Sequence, residues 1–354
     1  MFRGIIAAIL LSIAPPVMAQ PASAAADSCA PSGDLGFLCG VANGEDMVVL
    51  PGSQRLIVSS YAAGPHGLYV VDTARKVVQP VRSLPPHLDA GRYGACAGPP
   101  RPHELFTHGL SLRKGKAGRL NLMVVNHGAR EAIEVFEVSQ TGASVDLTWV
   151  GCAPMPQGLV ANSAVALPDG SILATVQTYP GMTPQDYRQG RNTGAVYLWK
   201  VGSPAFIKLA GTELPGNNGI EASGDGRTFY VAATGARAVY AFSLADPGGP
   251  LWNVPLGAVT PDNLHLMADG RLLVTSSKLY EASCGGPAGP RPGEPRCPRG
   301  YAVAAIDTTR RTVEVIAEGP PNALFMAASA SALLGETLWL GTPSGDRLAY
   351  RKVP

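Results

Sequence analysis

The chain has 354 residues, a formal net charge of +2 and only 15% charged residues. A chain so close to neutral lacks the excess of Lys and Arg that marks nucleic-acid-binding proteins, and this excludes that class of partner. Its 42 glycines and 32 prolines are typical of a turn-rich globular protein, and its length allows either two domains or one large all-β domain.

The first 24 residues predict a signal peptide. Arg3 precedes a short apolar run, and small residues suited to signal peptidase lie near positions 19 and 24, so cleavage is predicted at one of these two places. An uncleaved anchor is the alternative, which the shortness of the run and its interruption by Pro15 and Pro16 disfavour. No second long apolar run follows, so we predict no transmembrane segment and expect a secreted or periplasmic protein.

Six cysteines fit such a location, because disulfides persist in oxidising compartments. None of them has Cys-x-x-Cys spacing, which disfavours a thiolate metal site or a redox motif. Cys284 and Cys297 bracket a Gly/Pro-rich loop and are the pair best supported by the sequence. Spacing alone leaves the connectivity of the others open. The candidate disulfides are Cys284–Cys297, Cys29–Cys39 and Cys96–Cys152.

After an N-terminal segment, residues 25–42, the chain consists of short alternating or apolar runs bounded by Gly, Pro, Asp and Asn, as β-strands are. The stretches LPDGSILATV, SGDGRTFYVAA and MADGRLLVTS each contain the Asp-Gly hairpin signal. Units of about four strands that recur every 40 to 60 residues or so predict that residues 43–354 form a single six-bladed β-propeller, with a β-sandwich as the alternative. The predicted blades are 43–82, 103–150, 160–205, 215–250, 258–318 and 322–353.

Asparagines open the inner strands of three of these units. Asn162, Asn218 and Asn263 each precede the turn aspartate of their hairpin by six or seven residues, and Asp262 stands beside the last of them. Any one of these asparagines could be a turn residue that bonds nearby backbone. In a propeller, however, equivalent positions meet at one end of the central channel, so the three amides and Asp262 are predicted to converge.

In the first unit, the position before the inner strand holds two neighbouring acids, Glu45 and Asp46. A solvated acidic turn is the alternative to a functional role. A ring of amide and carboxylate oxygens suits a hard cation, and calcium accepts about 6 to 8 such oxygens. Glu45 and Asp262 would balance a divalent charge, whereas zinc would find no cysteine and no cluster of histidines. The sequence therefore predicts calcium.

Two histidines lie in the second unit, His108 in FTHGLSL and His127 in VVNHGAREAIEVFEV, and each is followed by glycine. A histidine at a strand end is often only a satisfied polar group. If the two lie on adjacent strands near a calcium ion, one imidazole can deprotonate water while the other orients it.

Together these motifs resemble the serum paraoxonase family, calcium-dependent six-bladed propellers that hydrolyse lactones and aryl esters, and more distantly the gluconolactonase and senescence-marker-protein group. The resemblance runs from GEDMVVLPGSQRLIVSS to ASASALLGETLWLGT, through the histidine and asparagine stretches and PDNLHLMADGRLLVTSS. It implies that His108 and His127 form a catalytic dyad and that five residues ligate a catalytic calcium. The implied ligands are Glu45, Asn162, Asn218, Asp262 and Asn263.

The family's second, structural calcium is matched only in part. Asp46 and the backbone carbonyl of Leu110 correspond to two of its ligands, but Ser163 stands where the family has an acid. The late cysteine and the retained N-terminal helix of the animal enzymes also have no counterpart. The segment 179–191 and the loop between the last two cysteines lack a match, and the resemblance implies that these two segments set substrate choice.

The leading hypothesis is therefore a calcium-dependent hydrolase of small-molecule lactones, with arylesterase activity as a side reaction. One rival is a noncatalytic periplasmic propeller that binds a ligand or partner and uses calcium only for structure. Another is a strictosidine-synthase-like propeller, against which the complete set of candidate calcium ligands counts. The natural lactone and the oligomeric state do not follow from the sequence.

Overall fold

The computed structural model describes residues 29–62, 67–115, 118–142, 144–289 and 297–353, and the predicted signal peptide lies outside these ranges. In the described part of the chain, six sheets, antiparallel except for one edge strand, are arranged around a central channel, which confirms the predicted six-bladed β-propeller. The first strand, β1 (Gly36–Cys39), belongs to the sixth blade and is described with it.

The first two blades follow directly. From the channel outward, the first blade contains β2 (Met47–Val49), β3 (Arg55–Ser59), β4 (Leu68–Asp72) and β5 (Val77–Pro80). The second begins with an edge strand, β6 (Arg82–Leu84), which pairs in parallel with the outermost of its four antiparallel strands. Those four are β7 (Thr107–Lys114), β8 (Leu120–Asn126), β9 (Ala132–Thr141) and β10 (Ser144–Pro154).

The third and fourth blades have four strands each. The third contains β11 (Ala164–Ala166), β12 (Ile172–Val176), β13 (Ala195–Trp199) and β14 (Ile207–Lys208). The fourth contains β15 (Asn217–Ala222), β16 (Thr228–Ala233), β17 (Ala238–Ser243) and β18 (Pro250–Pro255).

The fifth blade contains β19 (Val259–Leu266), β20 (Leu272–Lys278), β21 (Tyr301–Asp307) and β22 (Thr312–Gly319). The sixth contains β23 (Ser331–Leu334), β24 (Thr337–Leu340) and β25 (Arg347–Lys352), with β1 outermost. The connections between strands include α1 (Ala90–Tyr93), α2 (Pro184–Arg188) and short 3-10 turns at Pro102–Glu104, Ala282–Cys284 and Gly286–Ala288.

The repeated Asp-Gly turns form as the sequence predicts. The carboxylates of Asp169, Asp225 and Asp269 each accept a hydrogen bond from a backbone N–H two residues further on, at 2.8 to 3.0 Å. The glycine after each aspartate has a positive φ between 70° and 91°, a conformation that side chains with a Cβ disfavour. These turns join inner strands to second strands at the end of the channel opposite the asparagines.

Apolar side chains pack between neighbouring blades. Between the third and fourth blades, for example, Val165 and Leu173 pack with Ile220 and Phe229, all of them buried. Full burial of one such side chain stabilises the fold by about 1.5 to 3 kcal/mol. Because each sheet buries both faces against its neighbours, the blades hold one another in place and fix the inner strands around the channel.

A strand from the N-terminal segment closes the ring. Strand β1 pairs antiparallel with β25, so residues from near both ends of the chain share the sixth blade. Gly36 permits this pairing, since a Cβ there would lie 2.5 Å from the ring of Tyr350. The closing strand of the propeller thus comes from the segment 25–42, which was predicted to precede the propeller.

All three predicted disulfides are present. Cys29–Cys39 holds β1 and Cys96–Cys152 ties the connection before the second blade to β10, with Cα–Cα distances of 5.9 and 5.4 Å. Cys284–Cys297 closes the Gly/Pro-rich loop, with a Cα–Cα distance of 6.3 Å. Within the described ranges, no helix is both long and apolar enough to cross a membrane.

Candidate functional site

The inner strands meet in a closed ring of hydrogen bonds at the end of the channel where they begin. Each blade is joined to the next by at least one bond between residues at or near these strand beginnings. Around the ring they are Ser60 N–H to Thr107 Oγ1 (2.8 Å), Gly109 N–H to Asn162 O (3.2 Å), Thr175 Oγ1 to Asn218 O (2.6 Å), Thr234 Oγ1 to Pro261 O (2.9 Å), Asn263 N–H to Ser329 O (3.0 Å) and Ser329 Oγ to Glu45 O (2.6 Å).

Three β-bulges aim side chains within this ring. The strand register shifts between Thr107 and Leu110, between Asn217 and Ile220, and between Pro261 and Leu264. A bulge bends its strand and re-aims the residues inside it. The residues inside these bulges include His108, Asn218, Asp262 and Asn263.

The five predicted calcium ligands all lie at this end of the channel. Glu45, Asn162, Asn218 and Asn263 are buried, and the Asn263 amide donates to Glu45 Oε1 at 2.8 Å. The Asn218 amide donates to Thr234 Oγ1 at 3.1 Å, which leaves its carbonyl oxygen facing the other way. Three oxygens of this set are buried without any hydrogen-bond donor, namely Glu45 Oε2, Asn162 Oδ1 and Asn218 Oδ1.

The two acids of this set have raised pKa values. Burial, and then the charge of Asp46, raise the pKa of Glu45 to about 8. Burial, and then the charge of Glu45, raise the pKa of Asp262 to about 8. A buried carboxyl, a partly buried one and buried oxygens without donors beside them are costly unless a cation compensates them. The donor set is all oxygen, and among the described residues no three His, Cys, Asp or Glu side chains form a metal cluster, so the amide oxygens are essential to any cation site here.

His108 and His127 are hydrogen-bonded to each other. His108 Nδ1 and His127 Nε2 are 2.9 Å apart, and His127 Nδ1 lies 2.9 Å from the carboxylate of Glu131. A carboxylate only accepts hydrogen bonds, so His127 Nδ1 is assigned the proton, and in a neutral His127 ring Nε2 then accepts from His108 Nδ1–H. The lone pair of the neutral His108 ring is then on Nε2, which is 3.6 Å from Glu45 Oε1.

The surroundings of the two imidazoles favour this arrangement. Burial lowers the pKa of His108 to about 4, so its ring is neutral near pH 7. The Tyr61 ring packs on His108, with ring centroids 4.4 Å apart, and its edge faces His127. The site therefore presents a neutral nitrogen base beside a group of buried oxygens.

Asp46 points away from this set and is fully satisfied. Its Oδ2 accepts from the Leu110 backbone N–H at 2.7 Å, and its Oδ1 accepts from Met47 N–H at 2.7 Å and lies 2.8 Å from His265 Nε2. Burial lowers the pKa of His265, but the adjacent Asp46 carboxylate outweighs this and leaves that pKa raised. The side chain that contacts Asp46 is thus His265, and the group of Leu110 that contacts Asp46 is the N–H and not the carbonyl.

Two residues that matter at this site were missed by sequence reasoning. Glu131 lies four residues after His127, inside the motif VVNHGAREAIEVFEV. The motif shows the acid, but nothing in the sequence indicates that the turn into β9 brings its carboxylate next to the His127 ring. His265 lies two residues after Asn263 and meets Asp46 from 219 residues away. Only the closed ring brings that pair together.

The fold and this geometry define a six-bladed β-propeller with an oxygen-lined polar site and paired histidines at one mouth of its channel. A model of the family described as SMP-30/Gluconolactonase/LRE-like region matches residues 118–288, from within the second blade into the fifth. No curated protein matches the chain.

Solved structures agree with the fold. A gluconolactonase from Xanthomonas campestris is 17% identical, with 90% of this chain and 89% of that one covered and a TM-score of 0.51. A luciferin-regenerating enzyme is 13% identical, with 89% and 94% covered and a TM-score of 0.51. These matches support a similarity to the gluconolactonase group and do not show the paraoxonase family.

Proposed function

We propose that the protein is a calcium-dependent hydrolase of lactones, with arylesterase activity as a side reaction. The observation that carries this proposal is the group of three buried oxygens without donors, on Glu45, Asn162 and Asn218, beside the partly buried acid Asp262. Polar atoms are rarely buried without a partner unless a ligand, ion or water completes the site. The match to the SMP-30/Gluconolactonase/LRE-like family description supports a lactone as substrate.

The residues of the site fit calcium. Glu45, Asn162, Asn218, Asp262 and Asn263 would hold it, with the two carboxylates balancing its charge and the asparagines adding neutral oxygens. A hard cation bound there would polarise the carbonyl of the substrate and stabilise the oxyanion that forms. Zinc prefers nitrogen and sulfur ligands, which this set does not contain.

The paired histidines supply the base in this proposal. His108 Nε2 accepts a proton from water as the oxygen of that water attacks the lactone carbonyl. The positive charge that forms on His108 is shared through Nδ1–H to His127, and Glu131 stabilises the His127 ring in the required tautomer. The proton is then available at His108 Nε2 for the leaving alkoxide as the ring opens.

Asp46 needs no second cation, because two backbone N–H groups and His265 already satisfy it. The proposal therefore includes a single calcium per chain. His265, and not a second calcium, contacts Asp46 at the second site that the sequence resemblance matched in part. Export to an oxidising compartment also belongs to the proposal, and the three disulfides support it.

The test is hydrolysis of a lactone panel with a parallel aryl ester, using purified protein with calcium and after chelation. We expect turnover that chelation abolishes and calcium restores, and loss of both turnover and calcium binding in Asn218→Ala. The matched control is Asn253→Ala, at an exposed position on β18, which should change neither. Turnover that survives exhaustive chelation would contradict the metal role, and calcium binding without any turnover would favour the noncatalytic propeller.

A further inference from the structure

One threonine hydroxyl links the fourth and fifth blades beside the candidate cation site. Thr234 Oγ1 accepts from the side-chain amide of Asn218 at 3.1 Å and donates to the carbonyl of Pro261 at 2.9 Å. Asn218 belongs to blade four, and Pro261 immediately precedes Asp262 in blade five. The hydroxyl therefore contacts one predicted calcium ligand directly and the residue next to another.

The hydrogen-bonding groups around this hydroxyl determine which end of the Asn218 amide lies beside it. A threonine hydroxyl has one hydrogen to donate, and a carbonyl oxygen can only accept. Because that hydrogen goes to the Pro261 carbonyl, Thr234 Oγ1 can only accept from Asn218, so the nearer end of the amide is assigned as Nδ2. The opposite end is then Oδ1, which is buried and has no donor. With the amide reversed, one hydrogen would have to serve both Asn218 Oδ1 and the Pro261 carbonyl.

Thr234 in blade four and His127 in blade two occupy equivalent positions. Each lies at the end of the second strand of its blade, next to the bulge of the inner strand, and each is hydrogen-bonded to a residue inside that bulge. Thr234 contacts Asn218, and His127 contacts His108 at 2.9 Å. Thr234 and His127 each follow, by three residues, the second-strand member of the first strand pair beyond the bulge, and these pairs are Ile220–Val231 and Leu110–Val124. The same position thus holds a partner for a site residue in two blades.

The fifth blade has a serine at this position, and its contacts differ. Ser277 follows Val274, the strand partner of Leu264, by three residues. Its hydroxyl donates to the carbonyl of Ala328 at 3.0 Å and so links blade five to blade six, as Thr234 links blade four to blade five. Among the described residues, however, the Ser277 hydroxyl forms no hydrogen bond with a predicted calcium ligand. Ser277 therefore provides a matched control for the loss of a link between blades.

We propose that Thr234 is a positioning residue for the cation site, which fixes the Asn218 amide so that its carbonyl oxygen is free to bind the cation. An amide oxygen is a calcium ligand, whereas the NH2 group only donates hydrogen bonds. This inference rests on the proposed function for the cation that it names. The hydrogen-bond assignment of Asn218 does not depend on that function.

The first experiment measures calcium affinity by titration calorimetry. Thr234→Val keeps the shape of the side chain but removes the hydroxyl that fixes the amide, so calcium affinity should fall about tenfold. Thr234→Ser restores the hydroxyl and should bind within about threefold of wild type. Ser277→Ala should leave the affinity unchanged. Unchanged affinity in Thr234→Val, or an equal loss in Thr234→Ser, would overturn the proposal.

A change at position 218 tests whether Thr234 acts through the orientation of the amide. In Asn218→Asp both ends of the side chain are oxygens, so its orientation no longer decides which atom faces the cation. Adding Thr234→Val to this variant should therefore change calcium affinity by less than about twofold. A loss as large as in the Asn218 background would show that Thr234 supports the fold without positioning the amide, and the proposal would be wrong.

The third experiment needs no cation and separates this inference from the proposed function. Denaturant unfolding with chelator present compares wild type with Thr234→Val, Asn218→Ala and the double variant. A direct hydrogen bond should couple the two changes by about fivefold in the unfolding equilibrium constant. Calcium binding without this coupling would overturn the role of Thr234 and leave the lactonase proposal intact. Coupling in a protein that binds no calcium would overturn the proposed function and support the fixed orientation of Asn218.

Discussion

Each end of the channel buries a glutamate, and the two glutamates differ in their hydrogen-bond and ion-pair partners. Glu221, at the far end and 5% exposed, pairs with Arg113 and accepts from the N–H groups of Ala222 and Leu266 at 2.8 and 3.0 Å. Glu45, 2% exposed, receives one amide hydrogen bond, and its second oxygen has no donor. Burial alone therefore does not distinguish the two glutamates, whereas the missing hydrogen-bond partner of Glu45 does.

A cavity of about 480 Å³ opens at the far end, beside Glu221 and His265. Glu221 is paired there with Arg113, and His265 with Asp46, so neither side chain is left without a partner. At the near end, by contrast, three buried oxygens have no hydrogen-bond donor, and His108 is a neutral base. Variants that alter one end at a time should therefore separate stability from activity.

The largest effect is expected from Glu45→Gln. Losing one of two charged ligands should lower lactone turnover by at least about 100-fold, because the stabilisation of the oxyanion depends on the bound cation. The same change should raise the melting temperature of the chelated protein, because glutamine needs neither a buried negative charge beside Asp46 and Asp262 nor a proton held above the ordinary pKa of the side chain. Glu336→Gln, at an exposed hairpin position, is the control. A chelated variant that melts below chelated wild type would show that the Glu45 charge is compensated in some other way.

A somewhat smaller loss is expected from Glu131→Gln. An amide can donate to His127 Nδ1 and so favour the wrong tautomer, which should lower kcat by about 100-fold while calcium binding persists. The matched control is Glu137→Gln, because its side chain is also 31% exposed and also ion-paired. Unchanged kcat would rule out the relay from Glu131 to His108.

At the far end, Arg113→Ala should affect stability and leave the chemistry alone. The substitution leaves the buried Glu221 carboxylate without its ion-pair partner, which typically costs about 3 kcal/mol of unfolding free energy. Denaturant unfolding measures this loss, and turnover per folded molecule should match wild type. Arg310→Ala, at an ion pair whose arginine is 80% exposed, should change stability by well under about 1 kcal/mol. A calcium affinity that falls with Arg113→Ala would mean that the two ends are coupled.

The smallest effect is expected from His265→Gln, because an amide can still donate to Asp46. We expect a loss of about 1 kcal/mol of stability, the ordinary contribution of one hydrogen bond, with His103→Gln as the exposed control. Metal analysis should find a single calcium per chain in wild type and in this variant. A second bound calcium in wild type would contradict the assignment of Asp46 to His265.

Much of the fold was predictable, because its signals are local. The Asp-Gly hairpins and the spacing of Asn162, Asn218 and Asn263 from their turns repeat along the chain, and a repeat of this kind has few packing solutions. The Cys284–Cys297 disulfide followed from the composition of the loop that it closes. These features depend on residues a few positions apart, which is why the sequence reveals them.

The parts that were missed depend on contacts between distant segments. The pairing of β1 with β25, the parallel edge strand β6 and the contact of His265 with Asp46 all join residues far apart in sequence. The bulges that aim His108 and Asn218 also have no local signature, since an extra residue in one strand is visible only against its partner.

The closure of the ring by β1 has a consequence for when the site can exist. Gly36 is among the first described residues to be synthesised, yet its partner Tyr350 lies 314 positions later. Glu45 follows β1 closely and contacts Asn263 and Ser329, which belong to the last two blades. During synthesis the proposed cation site therefore cannot assemble before nearly the whole chain has emerged, and an ion arriving earlier would find only separated ligands. Binding of calcium would then report that the ring has closed.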